Sequence, residues 1–570
     1  MSAQPAASHA RGTTDTPLIE QTIGAFFDAM VERFPEREAL VVVHQGRRYS
    51  YRQLQQASRQ LASALLKLGL TPGDRVGIWS HNNAEWVLMQ LATAMTGLVL
   101  VNINPAYRTA EVEYALNKVG CQALVVMPRF KTSDYLGMLR ELAPEWAHAK
   151  TGEPLQSATL PHLNHAIWID VAGEGAEEPG FQRFSDLMQT GDAADPRLAQ
   201  TARLLHNTDA INIQFTSGTT GFPKGATLTH RNILNNGFFI GEAMRLTEAD
   251  RLCIPVPLYH CFGMVLGNLA VLTHGGCIVY PNDAFEPLSV LQTVQAEKCT
   301  GLHGVPTMFI AELDHPRFAE FDLSTLRTGI MAGSPCPIEV MKRVQRDMHM
   351  DEVTIAYGMT ETSPVSCQSS TDTPLDKRVA TVGLVQPHLE VKIVDPESGA
   401  MVPRGATGEL CTKGYSVMQG YWDDPARTAE AIDAEGFMHT GDLATMDDEG
   451  YVNIVGRSKD MVIRGGENVY PREIEEFLYR HPKVQDVQVV GVPDQRFGEE
   501  LCAWIVVKPG QQLDEDEVRA FCKGRIAHYK VPRYIRFVAE FPMTVTGKIQ
   551  KFRIRDAMKE ELGISEQKTA

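Results

Sequence analysis

Helical and strand-like spacing of apolar residues take turns along the first four-fifths of this chain. Leu54, Leu61, Leu65 and Leu68 recur near helical spacing, and Thr71-Pro72-Gly73-Asp74 stops that helix. Arg75-Val76-Gly77-Ile78-Trp79 then reads as a strand. Residues 84–95 read as a helix and 98–103 as a strand, and a helix over 109–118 precedes a strand over 121–127. This β/α alternation predicts an α/β fold with parallel sheets covered by helices. The most apolar long stretch, 87–103, contains Gln90, two threonines and Gly97, which suits a buried helix and strand, not a membrane span.

From residue 383 to 414 the pattern shifts. Val391-Lys392-Ile393-Val394 and Gly408-Glu409-Leu410-Cys411-Thr412 read as short strands between Pro/Gly turns, predicting a β-rich subdomain. A boundary falls near Gly456-Arg457-Ser458-Lys459-Asp460. Beyond it a helix over 471–479, strands over 484–492 and 501–508, and a helix over 514–526 make a compact α+β unit. The expected organisation is a disordered polar tail at 1–18, a large N-terminal domain at 19–456 and a small C-terminal domain at 457–570. The N-terminal domain would hold two parallel α/β subdomains and the β-rich one.

Composition narrows the function. At 570 residues the chain exceeds one hydrophobic core, so several subdomains are expected. A net charge of −16 argues against nucleic acid or an anionic membrane surface as partner. Ten cysteines lie between Cys121 and Cys522 without a C-x-x-C, and Cys253, Cys261 and Cys277 lack zinc-ligand spacing. Reduced, buried thiols are expected, which fits a cytoplasmic location. The first residues lack the apolar core of a secretory signal.

The chemistry concentrates in Phe215-Thr216-Ser217-Gly218-Thr219-Thr220-Gly221-Phe222-Pro223-Lys224-Gly225, with three glycines, four hydroxyls and one lysine in eleven residues. Glycines let the backbone approach a ligand, while N–H groups, hydroxyls and the lysine favour phosphate oxygens. Residues 210–214 alternate like a strand and 229–244 look helical, so the loop is expected between strand and helix. It is not a Walker A loop, because Lys224 is followed by Gly225 and not by Ser or Thr.

This run closely resembles the phosphate-binding motif of the adenylate-forming superfamily, which includes acyl-CoA synthetases, aryl-CoA ligases, luciferases and peptide-synthetase adenylation domains. Further motifs follow in family order. Tyr357-Gly358-Met359-Thr360-Glu361 resembles the next one. There the resemblance implies that Tyr357 packs on adenine, Thr360 contacts phosphate, and Glu361, with Thr216, holds Mg²⁺. Oxygen donors of this kind suit a hard cation. Met331-Ala332-Gly333-Ser334-Pro335 resembles the adenine-side loop. His439-Thr440-Gly441-Asp442 resembles the ribose motif, with Asp442 on the ribose hydroxyls. In Gly456-Arg457-Ser458-Lys459-Asp460, Arg457 would contact ribose or phosphate and Lys459 would be the hinge of a mobile C-terminal domain. Asp is common at that hinge, so this lysine is a variant. Pro542-Met543-Thr544-Val545-Thr546-Gly547-Lys548 resembles the motif that carries the catalytic lysine, Lys548.

The stretches Pro257-Leu258-Tyr259-His260-Cys261-Phe262-Gly263 and Gly304-Val305-Pro306-Thr307-Met308 are most similar to medium-chain fatty acyl-CoA ligases of the acyl-CoA synthetase family member 2 type. The resemblance implies formation of acyl-AMP from a carboxylic acid and ATP, then transfer to coenzyme A. ATP, Mg²⁺ and CoA are the implied cofactors and co-substrates. His260, Phe262, Val305, Met308, Gly333 and Met359 would surround the acyl group, with His260 also a candidate catalytic residue. His260 as gate, as carboxylate-orienting group and as core histidine all stay open. Gly465, Gly466 and Glu467 would line a pantetheine tunnel, or form a turn before the next helix. Chain length is open among medium-chain, branched, methylthio and aryl acids. So are a carrier-protein or oxygen acceptor, a silent nucleotide-binding protein, and a homodimer. No carrier module is expected in the 22 residues after Lys548, which favours free CoA.

Overall fold

The computed structural model describes residues 6–563 apart from 150–153, 171–177, 217–222, 334–335, 458–459, 465–466, 495–496, 524, 527 and 545–548. The predicted alternation folds into two large sheets. In the first, the strands Gln182–Arg183, His165–Trp168, Cys121–Val126, Arg75–Trp79, Val99–Asn102 and Ala210–Thr216 run parallel, in that spatial order. Lys224–Thr229 and Gly420–Tyr421 extend it antiparallel. The second has a parallel centre, Glu352–Gly358, Thr328–Ala332, Gly301–Leu302, Arg251–Cys253, Cys277–Tyr280 and Glu38–Val42, with antiparallel strands at both edges.

Helices start and stop where the sequence provides caps. Tyr51–Lys67 opens on a reciprocal pair: the Gln53 amide donates to Ser50 Oγ at 3.2 Å, and the Ser50 amide to Gln53 Oε1 at 2.9 Å. Ala84–Thr96 is buried at every position and ends at Gly97, whose φ of 68° is left-handed. That helix is covered by protein on all sides, as its mixed Gln/Thr/Gly composition suggested. Among the described residues no helix is long and apolar enough to cross a membrane. None of the ten cysteines is in a disulfide, and all are buried.

Three expectations need correction. The Gly-rich run does not join a strand to a helix. It links two antiparallel strands, Ala210–Thr216 and Lys224–Thr229, in register Thr216 with Lys224. The helix His230–Ala243 begins only afterwards, because Thr229 and Asn232 cap it reciprocally. Second, the tail is not wholly disordered. His9–Arg11 forms a strand antiparallel to Leu389–Val394, and His9 Nε2 lies 2.6 Å from Glu390 Oε1. It caps the edge of a five-stranded antiparallel sheet whose other members are Gly408–Gly414, Met438–Met446 and Val452–Arg457. Third, the helix expected over 514–526 is shorter, Glu515–Cys522, because Lys523 turns extended.

Beyond Val462 lies a separate sheet covered on both faces. Val487, Val489, Leu501, Ala503 and Ile505 pack with Ile474, Leu478, Val518 and Cys522. The alternate positions Val490, Val492 and Cys502 pack with Ile554 and Met558 of the helix Lys551–Glu561. This is the period-2 alternation of strands buried on both faces.

The amino-terminal strand can be tested by hydrogen exchange. The Ser8 amide donates to Val402 O at 2.9 Å and the Gly12 amide to Leu389 O at 2.8 Å. Both amides should exchange slowly, whereas exchange at the rate of an unstructured peptide would contradict the strand.

Candidate active site

Two strand ends and one turn bring the chemistry together. Thr216 ends the strand Ala210–Thr216, directly opposite Lys224. Glu361 sits in the short turn Thr360–Thr362 that follows Glu352–Gly358 of the other large sheet. Thr216 Oγ1 donates to Glu361 Oε1 at 2.9 Å. Tyr421 OH donates to the same oxygen at 2.9 Å, and Lys224 Nζ donates to Tyr421 OH at 2.9 Å. Glu361 is only 4% exposed and Tyr421 only 5%, so the carboxylate and the phenol are shielded from water, while Thr216 and Lys224 are half-buried. Burial first, then the Glu361 charge, push the Tyr421 phenol above its ordinary value, keeping it a donor.

Tyr421 was missed by sequence reasoning. Gly420-Tyr421-Trp422 carries no motif, and the tyrosine gains its place only through pairing with Ala226 at the sheet edge. Gly358 is also structurally demanding. A Cβ there would lie 1.6 Å from Pro364 O, so only glycine permits the tight return that sets Glu361 beside Thr216.

A second polar pair lies on the same strand. Tyr357 OH donates to Asp442 Oδ2 at 2.6 Å. Burial and the neighbouring Asp442 carboxylate hold the Tyr357 phenol well above its ordinary value. Asp442 follows Gly441, which has a φ of 69°, and it pairs in register with Arg457 of the next strand. Tyr357, Asp442 and the backbone of Arg457 are thus neighbours.

The apolar candidates lie in or against one large core. Val305 and Met308 belong to the large core cluster, and Phe262 and Met359 pack against it half-buried. A Cβ on Gly333 would meet Val305 Cγ1 at 3.1 Å, which places that glycine against the same wall. Phe262 begins a π-helix, Phe262–Leu269, a wide and uncommon form often found at functional sites. The His260 ring lies 4.4 Å from that of Tyr259, and the Phe262 ring 5.5 Å from that of His303. His303 accepts from the Ile330 amide through Nδ1 at 3.1 Å, and its Nε2 lies 2.9 Å from Leu266 O. Burial depresses it to about 4, so it is neutral and structural.

Several expected site residues lie outside the described residues: Ser217, Gly218, Thr219, Thr220, Gly221, Phe222, Ser334, Pro335, Lys459, Gly465, Gly466 and Lys548. Glu467 begins the strand Glu467–Val469.

The chain belongs to the AMP-binding enzyme family, which it matches over residues 27–422, with the family's C-terminal domain matched over 473–548. It is 49% identical over 555 residues to YngI of Bacillus subtilis (strain 168), covering 96% of this chain and 99% of that one. It is 46% identical over 563 residues to the mitochondrial medium-chain acyl-CoA ligase ACSF2 of Bos taurus, covering 98% and 91%. Among solved structures it resembles the anthranilate CoA ligase AuaEII in complex with anthranoyl-AMP, with a TM-score of 0.83 and 27% identity, covering 97% and 99%.

Tyr421→Phe removes the hydroxyl linking Lys224 to Glu361 and leaves the ring. A hydrogen bond to a charged group is worth about 1.5–3 kcal/mol, so ATP-dependent pyrophosphate release should slow about 10- to 100-fold. Unchanged kinetics would show that the link serves the fold alone.

Proposed function

We propose that the chain is an ATP-dependent acyl-CoA synthetase, an acid–thiol ligase that forms AMP. The observation that carries this reading is the network in which Thr216 and Tyr421 donate to the Glu361 carboxylate and Lys224 donates to Tyr421. Membership of the AMP-binding enzyme family and likeness to a CoA ligase bound to an acyl-adenylate support it.

A carboxylate is a poor electrophile, so it must first gain a leaving group. In the proposed first step its oxygen attacks the α-phosphate of ATP, the bond to the bridging oxygen breaks, and pyrophosphate departs. The 216–224 run would hold the β- and γ-phosphates through N–H groups, hydroxyls and Lys224. Lys548 would stabilise the negative charge that develops between carboxylate and α-phosphate. Asp442 would accept from the ribose hydroxyls beside the Tyr357 ring. In the second step the CoA sulfur attacks the acyl carbon, and AMP leaves with the oxygen that came from the acid. The thiol proton passes to solvent, and no protein nucleophile is needed.

Glu361 and Thr216 offer hard oxygen donors at one point, which fits Mg²⁺, a cation usually bound by one or two carboxylates plus phosphates. When bound, Mg²⁺ would neutralise charge on the departing phosphates. The acid is proposed to be a medium-chain fatty acid, in keeping with the bovine relative's name and with the apolar Val305, Met308, Phe262 and Met359. A cytoplasmic location rests on the buried cysteines outside disulfides, while the bovine relative is named mitochondrial.

The test is mass spectrometry of a reaction containing ATP, Mg²⁺, CoA and a mixed pool of carboxylic acids. Acyl-CoA should appear with AMP, most abundantly for medium-chain acids. Acyl-AMP without acyl-CoA would point to another acceptor, and ADP as product would overturn the reading. Lys548→Ala should lower acyl-AMP formation about 10²- to 10³-fold while sparing ATP binding.

A further inference from the structure

A second cluster of metal-binding side chains stands on the five-stranded sheet, outside the motifs used above except for His439. Cys411 and His439 face each other directly across the strands Gly408–Gly414 and Met438–Met446. Glu409 lies two residues before Cys411, on the same side of its strand. Cys411 Sγ is 3.5 Å from His439 Nδ1, and Glu409 Oε2 is 2.9 Å from the same nitrogen. One ligand atom from each residue lies within 4.8 Å of the others.

This arrangement asks too much of one nitrogen. Nδ1 carries either one proton or one lone pair in the ring plane, so it cannot donate to the carboxylate and accept from the thiol at once, and the thiol's other acceptor, the Glu409 carbonyl, is 4.0 Å away. A cation between the three would satisfy all of them. With Zn–S near 2.3 Å and Zn–N near 2.0–2.1 Å, tetrahedral ligand atoms stand roughly 3.4–3.6 Å apart; the Cys411–His439 spacing of 3.5 Å matches, and the 2.9 Å contact of Glu409 with His439 would open by about half an ångström to admit the ion. The arrangement is not a nucleophile–base–acid triad, because Cys411 and Glu409 approach the same ring nitrogen. His439 Nε2 instead faces Asp433 Oδ2 at 3.6 Å. Cys411 is fully buried, but His439 is 34% exposed, leaving an approach for an ion from the histidine side.

We propose that Glu409, Cys411 and His439 bind a thiophilic divalent cation, best matched by Zn²⁺, with a fourth position for water. A soft thiolate with imidazole and one carboxylate selects zinc over magnesium or calcium. Burial pushes the Cys411 thiol up to about 12, so the ion must displace a proton to bind. The site also touches the turn that carries Asp442. Glu409 Oε1 accepts from the Gly441 amide at 2.9 Å, and Thr440 Oγ1 donates to Leu410 O at 2.6 Å. On the function proposed above, an ion here would stiffen the ribose side of the cleft. The site itself rests on its geometry alone.

The probe is Co²⁺, which reports thiolate ligation through a near-ultraviolet charge-transfer band. Titration of the full chain should saturate at one Co²⁺ with that band, and Zn²⁺ should displace it. Cys411→Ser should abolish the band. In case that buried change disturbs folding, the part-exposed His439→Gln should retain the fold and weaken Co²⁺ binding by about 10- to 100-fold or more. A chain that shows no thiolate band at stoichiometric Co²⁺, or a band unchanged in either folded variant, would overturn the site.

Discussion

The site depends on a buried carboxylate that two sheets must satisfy together. Removing a carboxylate from water costs several kcal/mol unless donors meet it. Glu361 comes from the turn after a strand of one large sheet, while Thr216, Lys224 and Tyr421 all come from the other. Thr216 and Tyr421 both donate to Oε1, and the Met418 amide donates to the Glu361 carbonyl at 2.9 Å. The carboxylate therefore ties the two large sheets together beside Thr216 and Tyr421. The same contact fixes the alignment of the groups proposed to hold phosphate.

The strand Glu352–Gly358 carries Tyr357 toward Asp442 on the five-stranded sheet and leads directly into Glu361. One strand thus sets the spacing between the proposed ribose and phosphate contacts. Val305, Met308, Phe262 and Met359 lie in or against the large core, and Met359 stands two residues before Glu361, so the proposed acyl and phosphate contacts share one turn. A hydrocarbon pocket gains only about 1–3 kcal/mol of discrimination per methylene, so fine selectivity must come from pocket shape.

Much of this was legible in the sequence because hydrophobic periodicity is local. Arg75–Trp79 occurs as read, and Ala84–Thr96 and Thr109–Val119 differ from their expected ranges by one residue. What escaped was set by partners distant along the chain. Lys224–Thr229 is short, with one glycine and two threonines in six residues, and pairing with Ala210–Thr216 and Gly420–Tyr421 makes it a strand. His9–Arg11 looks like polar tail until the edge of Leu389–Val394 supplies its hydrogen bonds. Tyr421 has no motif around it, and its role follows from standing between Lys224 and Glu361. The π-helix at Phe262–Leu269 is likewise silent in sequence, since its residues keep an ordinary apolar pattern.

The most direct test follows the oxygen of the acid. A carboxylic acid labelled with ¹⁸O in both positions, supplied with ATP and CoA, should leave one ¹⁸O in AMP and one in the acyl-CoA carbonyl. That outcome requires attack of the carboxylate on the α-phosphate and later cleavage of the acyl carbon–oxygen bond. Label in inorganic phosphate, or AMP free of label while acyl-CoA forms, would contradict adenylate formation at the Thr216–Glu361 site.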